Sequence, residues 1–368
     1  MSNTLNIIIY LVVSYIYVAA LLIYVEKHKT IQLYSSNRLA TIDGLRGYLA
    51  LGVFTHHFVV TYYWYKTGVW YSPSENFLNN IGQASVVMFF MITGYLFSKK
   101  IKSNNFEIRK FFVKRFFRLM PLLFTVVTIM VWIVFIKQKF VLYDEPIEIF
   151  KQIIAWLLFM QPNINHLMHT DYITAGVTWT LKYEAIFYLA LPLLYFIRKN
   201  KALFILIVSI LFLIIVRTLF LLFFIGYIIS EIENRYKNKF NFNANIISII
   251  NILIIIFVLF YFKSSYHLLS FILLGISFAL IVLGNTLFGI LSNKFSIILG
   301  EISYSIYLTH GLILYILFNL ILKDEPTLYY LPIVMTIVIF VSLITFKYIE
   351  KPFNDFGHAI TRQVKGAL

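Results

Sequence analysis

Residues 42–65 read Ile-Asp-Gly-Leu-Arg-Gly-Tyr-Leu-Ala-Leu-Gly-Val-Phe-Thr-His-His-Phe-Val-Val-Thr-Tyr-Tyr-Trp-Tyr. From Leu45 this is an apolar run of bilayer-crossing length, roughly 17–25 residues. It nevertheless carries Arg46 near one end and His56-His57 in its interior. Lipid offers backbone groups no water, so such a run crosses as a helix. Further runs at 5–25, 80–98, 119–137, 178–197, 202–216, 218–233, 245–262, 266–285, 297–320 and 328–348 bring the total to about eleven spans. The predicted fold is an all-α, polytopic transmembrane helical protein. Residues 150–160 are apolar but too short to cross, and are read as re-entrant or interfacial.

Composition agrees. Of 368 residues, 60% are hydrophobic and 13% charged, with mean hydropathy +0.83. Soluble domains lie near 45–50% and 25%. The gap excludes a soluble enzyme, a disordered scaffold and a nucleic-acid-binding module. The 37 Phe and 26 Tyr suit lipid-facing and interfacial surfaces. The net charge of +15 is assigned to membrane-flanking loops, not to nucleic acid. Cysteine is absent, which removes disulfides, thiolate metal sites, Cys nucleophiles and lipidation through Cys.

The run 5–25 has an uncharged flank before it and Glu26-Lys27-His28-Lys29 after it, the reverse of a signal peptide. It is read as an outward-starting span. With the N-terminus outside, the Lys and Arg clusters at 99–118, 198–201, 235–239 and the C-terminus all fall on the cytoplasmic side. No linker divides the chain and no soluble domain is expected at either end.

Ionisable groups at bilayer depth are costly and mark function. Arg46 and His57 are eleven residues apart, about 20° from the same helix face and roughly 16 Å along the axis. Ala50 and Val53 lie between them. A cation at one mouth and a deep imidazole, joined by small residues, suit a long ligand with an anionic head, such as coenzyme A. His56 falls about 80° off that face. The plainer reading is that Arg46 marks the interface and His57 bonds a neighbouring helix. Arg115 and Arg118 share a helical face and could complete a phosphate site with Arg46, or simply anchor the loop. Glu184 and Tyr188, at i and i+4, face one way. Glu184 is placed at the depth of His57 and is expected to orient it or stabilise its imidazolium, with an ion pair to Lys182 or another buried cation as the alternative. His310 forms a polar seam with Ser303 and Tyr307, for which a packing role is the simpler one.

These residues are also those of a family. The chain resembles acyltransferase family 3, integral-membrane O-acyltransferases of cell-surface glycans such as O-antigen acetylases. The resemblance rests on Ile42-Asp43-Gly44-Leu45-Arg46-Gly47 with His57; on Phe89-Phe90-Met91-Ile92-Thr93-Gly94-Tyr95-Leu96; and on Lys114-Arg115-Phe116-Phe117-Arg118-Leu119-Met120-Pro121. It continues through Trp179-Thr180-Leu181 with Glu184 and Tyr188, then Gly300-Glu301-Ile302-Ser303-Tyr304-Ser305-Ile306-Tyr307-Leu308-Thr309-His310-Gly311 and Tyr348-Ile349-Glu350-Lys351-Pro352. It implies ten family helices plus one N-terminal span, and acetyl transfer from cytoplasmic acetyl-CoA, without a metal, to a sugar hydroxyl outside. His57 and Glu184 would then be catalytic. Arg46, Arg115 and Arg118 would hold the donor, and Asp43, Trp179, Tyr188, Tyr304 and His310 would bind substrate or support the site. The acceptor would be a lipid-linked or surface polysaccharide such as lipopolysaccharide, and the location a bacterial inner membrane. The expected units are an extra helix and linker at 1–38, an acyltransferase domain at 39–356 and a cytoplasmic tail at 357–368. A flippase or transporter of a lipid-linked glycan is the rival from another class; succinyl is the rival acyl group. Arg46 and His57 are expected to line one common tunnel.

Overall fold

The computed structural model describes residues 2–28, 40–102, 106–198, 218–236, 244–320 and 327–363. The predicted span at 202–216 lies outside them. Within them the protein is helical, with one isolated bridge between Ile164 and Leu167.

The helices are α1 (Ser2–Lys27), α2 (Ala40–Thr67), α3 (Asn76–Lys102), α4 (Ile108–Lys137), α5 (Pro146–Leu157), α6 (Thr178–Ile197) and α7 (Phe220–Tyr236). They continue as α8 (Ala244–Tyr261), α9 (Leu268–Val282), α10 (Lys294–Glu301), α11 (Ser303–Leu320), α12 (Leu331–Thr345) and α13 (Lys351–Gln363). A π-helical turn, Phe346–Glu350, joins the last two.

Among the described residues six helical stretches are long and apolar enough to cross a membrane, or seven if α10 and α11 count as one. The chain is a polytopic, all-α membrane protein. The span read straight at 297–320 is in fact bent by 63° between α10 and α11. Helix α2 has 28 residues but is not among the six, because its polar groups dilute its hydropathy. The segment around 150–160 is the short helix α5. It buries Ile149 and Trp156 while exposing Ile147, Phe150 and Ile154, the two-faced pattern of an interfacial helix.

Helix α3 is central: 78% of its apolar window is buried, against 17–33% for α1, α4, α6 and α8. Lipid gives no hydrophobic drive between helices, so close backbone approach must supply the packing. Gly94 on α3 and Gly226 on α7 provide it. A Cβ on Gly94 would meet the Phe223 carbonyl oxygen at 2.1 Å, and one on Gly226 the Met91 carbonyl oxygen at 2.1 Å.

The ends assigned to one side of the membrane meet each other. Lys99 of α3 pairs with Glu233 of α7 at 2.7 Å, and Lys294 reaches Glu26 at the end of α1. At the opposite end, the Asn79 amide donates to the Lys263 carbonyl at 2.9 Å.

Gly226→Val should therefore destabilise the bundle by about 1–3 kcal/mol through overpacking. A thermal unfolding scan of the purified protein in detergent checks this; an unchanged midpoint would refute the close approach.

Candidate functional site: a cationic cavity and a histidine pair

The Asp43-Gly44-Leu45-Arg46-Gly47 segment opens α2 against α10. A Cβ on Gly44 would strike the Leu291 carbonyl oxygen at 2.0 Å, and one on Gly300 the Asp43 carbonyl oxygen at 2.0 Å. The glycines thus let α2 sink into the bundle, and Arg46 points inward. Asp43 Oδ1 lies 3.5 Å from the Arg46 guanidinium.

Arg46 lines a cavity of about 120 Å³ together with Arg115 and Arg118 of α4, Glu184 and Tyr188 of α6, and Tyr304 of α11. Six of the ten residues singled out in the sequence converge here from four helices. Glu184 is held by two hydroxyls, Thr93 donating at 3.0 Å and Tyr188 at 2.9 Å. Tyr304 donates to the Leu119 carbonyl at 2.7 Å, tying α11 to α4. The Arg115 guanidinium lies over the Phe97 ring at 4.6 Å and within 5.7 Å of the Tyr188 ring. Stacking of this kind leaves its donor edges available, which Lys could not match.

Three guanidinium groups and one carboxylate face this space. The other acids, Asp43, Glu301 and Glu350, stand within electrostatic reach of Arg118 but do not line the cavity. Glu350 sits in the π-helical turn, buried, and accepts from Ser305 at 3.0 Å. Buried arginines thus have acids behind them and an anion-accepting face in front.

His57 is not part of that lining. Its Nδ1 lies 2.9 Å from His310 Nε2, and the two rings stack at 5.1 Å between centroids. His310 Nδ1 in turn lies 3.0 Å from the Ile306 carbonyl oxygen. A carbonyl only accepts, so His310 Nδ1 carries the proton. With both rings neutral, His310 Nε2 must then accept from His57 Nδ1–H. The His57 Nε2 lone pair is left unengaged by this chain of bonds, the tautomer a general base needs.

The expectation that Glu184 orients His57 is thus corrected: Glu184 bonds Thr93 and Tyr188, and the partner of His57 is His310. His310 is in direct hydrogen-bonded and stacked contact with His57. His56, the off-face histidine, bonds the Leu78 carbonyl at 2.9 Å and lies against Gly82 of α3. Trp179 packs against Phe90 and Tyr183 and lines neither principal cavity.

The common tunnel is also corrected. The cavity holding Arg46 ends at Phe89 and Tyr307, whose ring stands 6.1 Å from that of His310. A second cavity of about 330 Å³ begins beyond the pair, lined by Trp64 of α2 and Tyr315 of α11. The histidine pair divides the two. Thr93, Tyr307 and Glu350 were each inside motifs quoted above, but nothing in their spacing gave them a partner.

A bundle of membrane helices enclosing a cationic pocket next to a paired histidine is the frame of a membrane group-transfer protein. The family comparison specifies it further. A family model described as an acyltransferase domain, that of acyltransferase family 3, matches residues 39–347. The chain belongs to that family and is a membrane acyltransferase. Neither the comparison with curated proteins nor that with solved structures gives a match.

Replacing His310 separates its role from bulk packing. His310→Leu leaves the His57 Nδ1–H without a partner, at about 1–3 kcal/mol, or roughly 5- to 150-fold in kcat. His310→Gln keeps an acceptor within reach and should recover much of this. Steady-state transfer kinetics decide; equal activity of the Leu variant and wild type would contradict the assignment.

Proposed function

We propose that the protein is an O-acetyltransferase that takes acetyl from cytoplasmic acetyl-CoA and places it on a sugar hydroxyl of a surface or lipid-linked glycan across a bacterial inner membrane. The observation that carries this is the convergence of Arg46, Arg115 and Arg118 on one cavity ending one ring short of the His57–His310 pair. The Lys and Arg distribution supports placing the Arg46 end on the cytoplasmic side.

The phosphates of the donor bind the three arginines, whose planar forks suit them. The pantetheine arm follows the narrow cavity past Glu184. Phe89 and Tyr307 rotate aside to admit the thioester to His57. The Tyr307 hydroxyl is hydrogen-bonded to Thr180 at 2.6 Å, which holds that ring in place beside His310.

His57 Nε2 then takes the proton of the sugar hydroxyl, and the oxygen attacks the thioester carbonyl. The carbon–sulfur bond breaks, and the departing thiolate recovers the proton from His57. His310 holds the tautomer and shares the positive charge that forms on His57 during transfer. Glu184, fixed by two hydroxyls, lines the path of the arm. General-base assistance supplies about 10²–10⁴ in rate, and positioning in a water-poor site the remainder.

His57→Ala should abolish O-acetylation of surface glycans at normal protein levels, as read by glycan mass spectrometry against a deletion strain. The same spectra tell acetyl from succinyl. Retained acetylation would reject the role of His57.

Arg115→Ala or Arg118→Ala should each raise KM for acetyl-CoA by roughly 10- to 150-fold, the worth of about 1.5–3 kcal/mol for a charged hydrogen bond. Lysine should not restore it. An unchanged KM in both variants would remove the donor from this cavity.

A further inference from the structure

The second cavity has no role in the donor side. It opens at the end of α2 opposite Arg46, and its walls are aromatic. Trp70 and Tyr172 stack at 4.5 Å and 19°, and Trp64 and Tyr315 face each other at 6.1 Å and 26°. Lys137 at the end of α4 bonds the Tyr315 hydroxyl, and His169 stacks on Tyr172 at 4.5 Å. No carboxylate is among its lining residues.

An aromatic belt at a membrane interface would turn its rings toward lipid. These rings pack on one another, Trp64 edge-to-face against Trp70 at 5.5 Å and Tyr172 at 5.3 Å, and form one continuous aromatic wall of the cavity. Trp64, Trp70 and Tyr172 are half-buried and Tyr315 is buried. The loop that brings Tyr172 and His169 is also held firmly. Seven of the nine described non-glycine residues with left-handed backbone lie between Lys139 and Ala175, His169 among them. Asn165 pins the loop: its carboxamide oxygen accepts from the amides of Tyr143 at 2.7 Å and Asp144 at 3.1 Å, and its Nδ2 donates to the Val141 carbonyl at 2.8 Å. Gly311, next to His310, presses against the Thr174 backbone. Backbone strain kept in place by such bonds is characteristic of binding sites.

Position adds the decisive constraint. Trp64 follows His57 by seven residues, which places it on the same face of α2 about 10 Å further along. Arg46 and Trp64 are eighteen residues apart, five full turns. One stripe of α2 thus carries the donor site, the histidine and the aromatic box in that order. Ten ångströms is too far for a hydroxyl held in the box to reach His57 Nε2.

We infer that this cavity is an acceptor subsite for a hexopyranose ring next to the one that reacts, held against the aromatic wall that Trp64, Trp70, Tyr172 and Tyr315 form. The C–H face of a pyranose carries partial positive charge and meets the negative face of an aromatic ring. Lys137 supplies a donor to the ring's oxygens. The glycan chain then runs down toward His57, so the box sets both register and preference for a polymer. This inference rests on the glycan acyl-transfer reading above and assigns the acceptor's place within it.

The test uses the purified protein in detergent, acetyl-CoA labelled in its acetyl group, and as acceptor the surface polysaccharide of a deletion strain. The polysaccharide is supplied either intact or hydrolysed to monosaccharides. Wild type should prefer the intact chain. Trp70→Ala should raise KM for the intact chain about tenfold or more, as loss of one stacking face does. It should change KM for acetyl-CoA by less than about twofold and erase the preference for the intact chain. Trp70→Phe, which keeps a ring face, should recover most of that preference, and Tyr172→Ala serves should Trp70→Ala not fold.

A folded Trp70→Ala protein whose intact-chain KM and preference match wild type would overturn the subsite while leaving acyl transfer intact. A wild type that uses monosaccharides as well as polymer would overturn it too. A wild type that transfers acetyl to neither acceptor would instead bring down the acyl-transfer reading, and the subsite with it.

Discussion

The hydrogen bond from His57 Nδ1 to His310 Nε2, 2.9 Å long, is the contact on which the site depends. It joins residues 253 apart in sequence, and it fixes which nitrogen of His57 is basic. In a bilayer interior an imidazole without a partner would be costly to hold. Here the Ile306 carbonyl anchors one end of the chain of bonds, and the free lone pair lies at the other. Close helix packing makes this possible. Gly311 brings the loop against α11, and Gly82 gives His56 room to turn away onto α3.

From that pair the rest of the molecule divides in two. On one side lie the arginines and a narrow cavity; on the other lies a wider aromatic one. Phe89 and Tyr307, with rings 5.9 Å apart, line the arginine cavity on the side of the histidines. The acids behind Arg118 serve the same economy of charge. They let guanidinium groups stay in a low-dielectric setting with an outer face able to accept an anion.

Much of this was legible in the sequence, and what was not has a physical cause. The all-α membrane class followed from run length and hydropathy. The shared face of Arg46 and His57 followed from the 100° helical step, and Arg115 and Arg118 from their three-residue spacing. A shared site for those arginines with Arg46 was also expected, but that Glu184, Tyr188 and Tyr304 line the same cavity was not. Depth alone, however, says nothing about rotation about the helix axis. Glu184 was therefore placed at the right level but given the wrong neighbour, since its face turns to Thr93 and the arginine cavity. His310 was read as a packing residue because its partner lies on a helix that no local pattern connects to it. The bend between α10 and α11 was equally invisible, since the sequence there has no proline, and a turn with Ile302 buried reads as a continuous apolar run.

The central claim is that the arginine cavity receives the donor and opens past Tyr307 to His57. Its most direct test is a cryo-electron microscopy structure of the protein with acetyl-CoA bound. The account predicts phosphates within hydrogen-bonding distance of Arg115 and Arg118, Tyr307 turned from its place beside His310, and the thioester carbonyl next to His57 Nε2. Density for the cofactor in any other compartment, with the histidine pair still shut off from it, would contradict the account.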